Sequence, residues 1–140
     1  MAVWVSRPLW APYFAPIQHE LSFQNVNSSA QLDQALLAAR GKTVMLDFYA
    51  DWCVACVEFE RETLSDTQVQ TALKDIVLIR ADVTQNTAAD AALLARFALY
   101  GPPALIFYGQ NGQELKPRVI GFQNPREFLK TLKLIEQAQP

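Results

Sequence analysis

The sequence predicts an α/β fold, a central mixed β-sheet flanked by helices on both faces, with an N-terminal extension over residues 1–20. Three observations predict it. The runs "TVMLDFYA" (43–50), "IVLIRADV" (76–83) and "ALIFYG" (104–109) are mostly apolar, as strands covered on both faces are. Segments of helical composition separate these runs, an alternation that builds a sheet with helices on its faces. The Asn-Gly pair in "QNGQ" (110–113) is a hairpin signal that sends the last strand back antiparallel, so the sheet is mixed.

Taken in order, "LSFQNV" (21–26) alternates well enough for a short first strand. Ser28 or Ser29 can cap a helix over 30–40, whose apolar face is Leu32, Ala35, Leu36 and Ala39, with Gly41 as its stop. After the strand at 43–50, a helix starts at Cys53 and runs to about Thr63. "SDTQVQTALKD" (65–75) is a second short helix capped by Ser65 or Asp66. The strand at 76–83 follows, then "TAADAALLARFAL" (87–99), which is rich in helix formers. "YGPP" (100–103) stops that helix before the strand at 104–109. Residues 116–122 form the returning strand. An amphipathic helix from Pro125 to Gln137 closes the chain, with Phe128, Leu129, Leu132 and Leu134 available for burial.

Composition narrows the function classes. Of the 140 residues, 51% are apolar and 19% charged, which suits one globular domain starting near Leu21. A net charge of -2, with no Lys/Arg run and no zinc-finger spacing, sets nucleic-acid binding aside. No stretch reaches the ~20 apolar residues of a membrane span. Arg7, Pro8, Pro12 and Pro16 interrupt what would be a signal peptide. Trp4, Trp10, Tyr13 and Phe14 stand among these prolines, as in chains leaving a membrane interface or in a strap packed on a domain surface.

The only two cysteines, Cys53 and Cys56, are separated by two residues. A zinc site needs two more ligands, and the one histidine, His19, lies in the N-terminal extension. A purely structural disulfide closing so small a loop removes little chain entropy. Position favours a redox couple instead. A buried strand ends at Ala50, two residues turn, and Cys53 falls at a helix N-terminus, where unpaired N–H groups favour a thiolate. Cys56 sits one turn further in. That arrangement suits an outer attacking thiol and a shielded resolving thiol.

"DFYADWCVAC" resembles the active-site stretch of the thioredoxin superfamily: strand, aromatic residues, Trp52, then Cys-x-x-Cys. The resemblance implies the thioredoxin-like fold and a cis-proline facing the cysteines, and "GPPA" puts Pro103 in that slot. Pro102 precedes it. Having no N–H, Pro102 can offer a substrate strand only its carbonyl. More narrowly, "VMLDFYADWCVACVEFE" followed by "LSDTQVQTAL" is similar to the C-terminal periplasmic domain of the DsbD family of transmembrane thiol-disulfide interchange proteins. This resemblance covers Leu21 to the C-terminus. It implies a reductant relay at the periplasmic face of the bacterial inner membrane, with no cofactor beyond a redox-active Cys53–Cys56 disulfide. Electrons from cytoplasmic thioredoxin would cross the transmembrane domain, pass to this domain, and go on to the N-terminal periplasmic domain of the same protein. Residues 1–20 would then be the linker after the last membrane helix, Met1 an expression start, and the isolated domain a monomer.

Acids surround the pair: Asp47, Asp51, Glu58 and Glu60, with no Lys or Arg between residues 43 and 60. Asp51 and Glu58 fit solvated surface charges. Asp47 does not, because a carboxyl inside an apolar strand is costly without a partner or a role. It matches the superfamily's buried aspartate. Glu60 lies four residues after Cys56, on the same helical face, and matches an acid of the DsbD domain. A helix N-terminus gives a thiolate ~0.3–1 kcal/mol, and up to ~2 when buried. One carboxylate ~8 Å away at an effective dielectric of ~20 costs about 2 kcal/mol. The acids therefore cancel or exceed the dipole, which places the Cys53 pKa near or above its free value and makes the pair reducing. Asp47 is the expected proton acceptor for Cys56, while Trp52, Tyr49, Pro102 and Pro103 form the rim a substrate meets. Two other functions fit the fold: a free-standing reductase or oxidase of broad range, and a non-catalytic interaction domain with an inert disulfide.

Overall fold

The computed structural model describes residues 21–140, and the aromatic tail with His19 lies outside that range. Five strands form one sheet in the order β1-β3-β2-β4-β5. They are β1 (Gln24–Val26), β2 (Val44–Tyr49), β3 (Val77–Asp82), β4 (Ala104–Tyr108) and β5 (Glu114–Ile120). The β1–β3 and β3–β2 pairs are parallel, while β2–β4 and β4–β5 are antiparallel. The mixed sheet read from the sequence is the one observed.

Side chains alternate across β2, and each set fills a different core. Val44, Leu46 and Phe48 face α1 (Ser29–Ala38) and α4 (Ala88–Arg96), where Leu32, Ala35, Leu93 and Phe97 cover them. Met45 faces the other way. There it meets Val69 and Leu73 of α3 (Thr67–Leu73) and Phe128, Leu132 and Ile135 of α5 (Pro125–Gln137). Helices thus cover both faces, and β2 lies at the centre with every side chain but Tyr49 buried.

Ser28 and Asp66 are the caps observed from the two expected pairs, and two capping boxes join them. Ser28 caps α1 through the Gln31 amide, Asp66 caps α3, and Thr87 and Asn124 form capping boxes with Asp90 and Glu127. Several edges differ. β1 is confined to its last three expected residues. Helix α4 stops at Arg96, because Ala98 takes a left-handed φ of 55° and the Leu99 amide returns to the Leu94 carbonyl. The hairpin turn is three residues long: Gly112 donates to the Gly109 carbonyl and itself has φ 81°, so the strand resumes at Glu114 rather than 116. In α5 the inward position belongs to Ile135, and Leu134 is 52% exposed.

The main departure concerns the helix after the cysteines. It is α-helical only over Val54–Glu58 (α2) and continues as a π-helical turn over Phe59–Thr63, where the Leu64 amide reaches back to the Phe59 carbonyl at 2.9 Å. Tertiary anchors hold this wider turn. The Phe59 ring packs edge-on against Phe128, with centroids 5.2 Å apart, and the Thr63 hydroxyl donates to the Gln123 carbonyl at 2.5 Å. Such turns interrupt α-helices where packing overrides local propensity.

Phe128 is fully buried at this junction. Phe128→Ala should cost about 3–5 kcal/mol in urea unfolding. Leu134→Ala on the same helix should change stability by less than about 0.5 kcal/mol. Equal effects would contradict the assigned face of α5.

Candidate active site

The site forms at the C-terminal end of β2. Cys53 is the N-cap of α2, and its sulfur accepts the Cys56 amide at 3.2 Å. The two cysteines form a disulfide, with Cα atoms 5.2 Å apart. Cys53 is 7% exposed and Cys56 3%, so the asymmetry has the expected sign but both sulfurs sit in the apolar cluster of Phe48, Ala50 and Ala104.

A residue absent from the sequence reading holds the turn in place. Thr84, just beyond β3, accepts the Asp51 amide on its hydroxyl at 2.9 Å and the Trp52 indole N–H on its carbonyl at 3.1 Å. Its own hydroxyl donates to Asp82 Oδ1 at 2.5 Å. Trp52 is therefore tethered at its polar end while remaining 60% exposed, and Val54 beside it is 73% exposed. On the facing side, the Pro102–Pro103 peptide bond is cis, as expected. Register sets Ala104 opposite Phe48, which brings Pro102 and Pro103, both half-buried, to the end of the sheet that carries the cysteines. Asp51 and Glu58 are exposed, as solvated charges should be.

Asp47 and Glu60 are brought together, but not alone. Arg80 of β3 is the register partner of Asp47, so the two side chains leave adjacent parallel strands side by side. The guanidinium donates to Asp47 Oδ2 from Nε at 3.2 Å and from Nη2 at 2.9 Å, and Nη2 lies 2.5 Å from Glu60 Oε1. It also lies against two rings, 4.1 Å from the Phe23 centroid and 4.6 Å from that of Tyr49. The absence of basic residues between 43 and 60 therefore does not make the cluster purely acidic. Two carboxylates and one guanidinium leave one net negative charge. Sequence carried a signal for Arg80, since it is the lone charge within "IVLIRA" just as Asp47 is in its strand.

Burial pushes the Asp47 carboxyl up to about 6. Arg80 opposes that shift, and Glu60 and Asp82 add to it. Tyr49 is pushed up to about 12, first by burial and then by the neighbouring Asp51 and Glu60 carboxylates. Among the described residues, no cluster of His, Cys, Asp and Glu is placed to hold a metal ion.

A thioredoxin-like family model matches residues 25–110. The chain belongs to that family. Within it the likeness is to DsbD. The crystal structure of the Neisseria meningitidis DsbD C-terminal domain in the oxidised form superposes with a TM-score of 0.66 at 30% identity, covering 83% of this chain and all of that one. The reduced form gives 0.62 at 33% identity, covering 79% of this chain and 92% of that one. The thiol:disulfide interchange protein DsbD of Ralstonia nicotianae is 51% identical over 113 residues, and that of Escherichia coli K12 48% identical over 128. Those matches take in 79% and 87% of this chain but only 19% and 23% of the relatives, so the chain spans about a fifth of their length. It is a thioredoxin-like domain of the DsbD C-terminal type, with the Cys53–Cys56 disulfide at the head of α2.

The raised Asp47 carboxyl has a consequence for stability. The folded domain binds that proton more tightly than the unfolded chain, whose carboxyl sits near 3.8. The resulting stabilisation is complete below about pH 4 and is lost as pH rises through about 6. Asp47→Asn lacks this loss, so its stability relative to wild type should improve by on the order of 3 kcal/mol between pH 4 and 7.5. Urea unfolding of both proteins across that range measures it. A constant difference would show that Asp47 titrates normally.

Proposed function

We propose that this domain is the periplasmic electron carrier of a DsbD-like relay, taking electrons from a membrane-embedded dithiol and passing them to a periplasmic partner domain of the same protein. On this reading the electrons come ultimately from cytoplasmic thioredoxin, and the domain works at the periplasmic face of the inner membrane. Among the described residues no helix is long and apolar enough to cross a membrane. The observation that carries the reading is the Cys53–Cys56 disulfide at the head of α2, in a chain whose likeness to DsbD C-terminal domains extends to both an oxidised and a reduced form.

The chemistry runs in two exchanges. Cys53, as thiolate, attacks one sulfur of the partner's disulfide. That bond breaks, the other partner sulfur leaves as a thiolate, and a mixed disulfide joins the two proteins. Cys56 then loses its proton to Asp47 and attacks the Cys53 sulfur, expelling the partner's second thiolate. Two electrons have moved to the partner, which takes up two protons, and Cys53–Cys56 is oxidised.

The other residues act around these steps. Cys53 is stabilised as a thiolate by the Cys56 amide it already accepts from and by the end of α2. Glu60, linked to Asp47 through Arg80, adds negative charge one turn below Cys56 and raises the cost of a thiolate. Trp52 and Tyr49 shape one side of the rim, and Pro102 and Pro103 the other. The partner strand there would meet the Pro102 carbonyl, since no N–H is present.

The order of attack is testable by trapping. Cys56→Ser, reduced and mixed with the oxidised N-terminal domain of a DsbD-like protein, should accumulate a covalent adduct that dithiothreitol cleaves. Cys53→Ser should give none. Nonreducing electrophoresis and intact mass read both outcomes. An adduct from Cys53→Ser instead would reverse the roles, and no adduct from either would favour a non-catalytic domain.

A further inference from the structure

Four of the chain's five lysines line one cleft, of about 920 Å³, at the end of the sheet opposite the cysteines. Lys42 precedes β2, Lys74 sits at the C-cap of α3, and Lys130 and Lys133 stand one turn apart on α5. All four are exposed. Among the described residues no ion pair engages them, the ion pairs there being made by Arg80, Arg96 and Arg118. Two carboxylates, Asp75 and Glu136, share the cleft, so cations outnumber anions two to one in a chain of net charge -2. The floor is apolar, with Leu132 and Ile135 buried and Leu129 half-buried.

Topology gives the domain two unlike ends. Thr43 and Val77, where β2 and β3 begin, line the cleft, whereas β2 finishes at the cysteine turn. The 6 residues of β2, at ~3.3 Å each, put roughly 20 Å between the two ends. Asp51, Glu58 and the net negative cluster of Asp47, Arg80 and Glu60 all lie at the cysteine end. The chain also enters beside the cleft. β1 runs parallel to β3 and starts at Gln24 opposite Ile79, so residues 21–23 approach from the end where Val77 lies. Leu21 and Phe23 pack on the same core as Ile76 and Leu129 of the cleft. A tether upstream of Leu21 therefore pulls on the basic end.

We propose that this lysine-lined cleft is a docking surface for an anionic lipid bilayer, seating the domain with its cysteines turned away from the membrane toward a periplasmic partner. The ammonium groups meet lipid phosphates, while the lysine stems and the apolar floor lie against the interface. Charge complementarity selects this occupant, because an anionic surface attracts the basic end and repels the acidic one, and so orients the domain as well as binding it. The attraction is modest, about fivefold in partition for each lysine near such a surface. A relay domain needs that modesty, since it must also turn its cysteines to the membrane-embedded dithiol to be reduced again. The inference rests on the proposed reading of the domain as one held at a membrane.

The test is partition of the full 140-residue chain onto lipid vesicles, read by sedimentation. Vesicles of phosphatidylglycerol and phosphatidylcholine in equal parts should bind it, and vesicles of phosphatidylcholine alone should not. Binding should fall steeply between about 20 and about 200 mM salt. Lys133→Gln should weaken it about fivefold, and Lys130→Gln combined with Lys133→Gln about 25-fold. Lys116→Gln, at the exposed fifth lysine on β5, should change it less than about twofold. Bound protein should reduce oxidised glutathione as fast as free protein, because its cysteines face water. An equal loss in Lys116→Gln, or none in the cleft variants, ascribes binding to net charge or to residues 1–20 and overturns the proposal. So does binding to phosphatidylcholine alone, or a bound form whose cysteines are shielded. Displacement by millimolar inorganic phosphate at constant ionic strength marks a small-anion site, and capture by polyglutamate without vesicle binding marks an acidic protein partner; either overturns the bilayer as occupant. Trapping of the mixed disulfide is read without lipid, so the relay reading and this surface fail separately.

Discussion

Strand β2 is enclosed on every side. Helices cover both its faces, β3 and β4 flank it, and its side chains from Val44 to Phe48 are buried. Any charge placed there must be answered from within the protein, because the desolvation of an isolated carboxylate costs several kcal/mol. Asp47 is that charge, and Arg80 is the answer, supplied by the neighbouring strand at the matching register position. The parallel pairing of β2 with β3 is what makes the match possible. A slip by one residue would turn Arg80 into the α1–α4 core and leave Asp47 unpaired.

The same constraint reaches the cysteines. β2 ends at the turn that Thr84 holds, and that turn delivers Cys53 to the head of α2. The wider π-helical turn then carries Glu60 back to Arg80, closing a loop of interactions from β2 through the active-site helix to β3. Opposed influences converge on the dithiol. The helix end and the Cys56 amide favour a thiolate at Cys53, whereas the net negative charge of the Asp47–Arg80–Glu60 cluster disfavours it. Arg80 makes that cluster less negative than the acids alone suggest. On the proposed electron-carrier reading, a disfavoured thiolate means a reduced form that is not over-stabilised, and so a pair that gives up electrons readily.

Much of this was legible in the sequence, for identifiable reasons. The strands declared themselves because apolar runs of that length have few alternatives, and the helix caps Ser28 and Asp66 follow from their side-chain chemistry. Asp47 stood out as a misfit in its strand, while Pro103 came from the family resemblance. Arg80 was the mirror-image misfit, but pairing it with Asp47 requires the strand register, which local sequence does not carry. The π-helical turn was hidden because Phe59 and Thr63 are anchored by Phe128 and Gln123, more than 50 residues away in the chain. Thr84 was silent for another reason: a threonine in a polar loop has no pattern to violate. Leu134 and Ile135 are adjacent apolar positions, and only the docking angle of α5 decides which of them is buried.

The central claim is that this charge arrangement makes Cys53–Cys56 an electron donor. Its equilibrium reduction potential tests that most directly, by equilibrating the domain with glutathione or dithiothreitol buffers of known poise and counting free thiols after acid quenching and alkylation. The account predicts a reducing value on the thioredoxin side of the scale, in the region of about −270 mV and well below about −200 mV. A value near about −120 mV, that of a strong disulfide oxidant, would contradict both the electron-donor assignment and the role given to the acids.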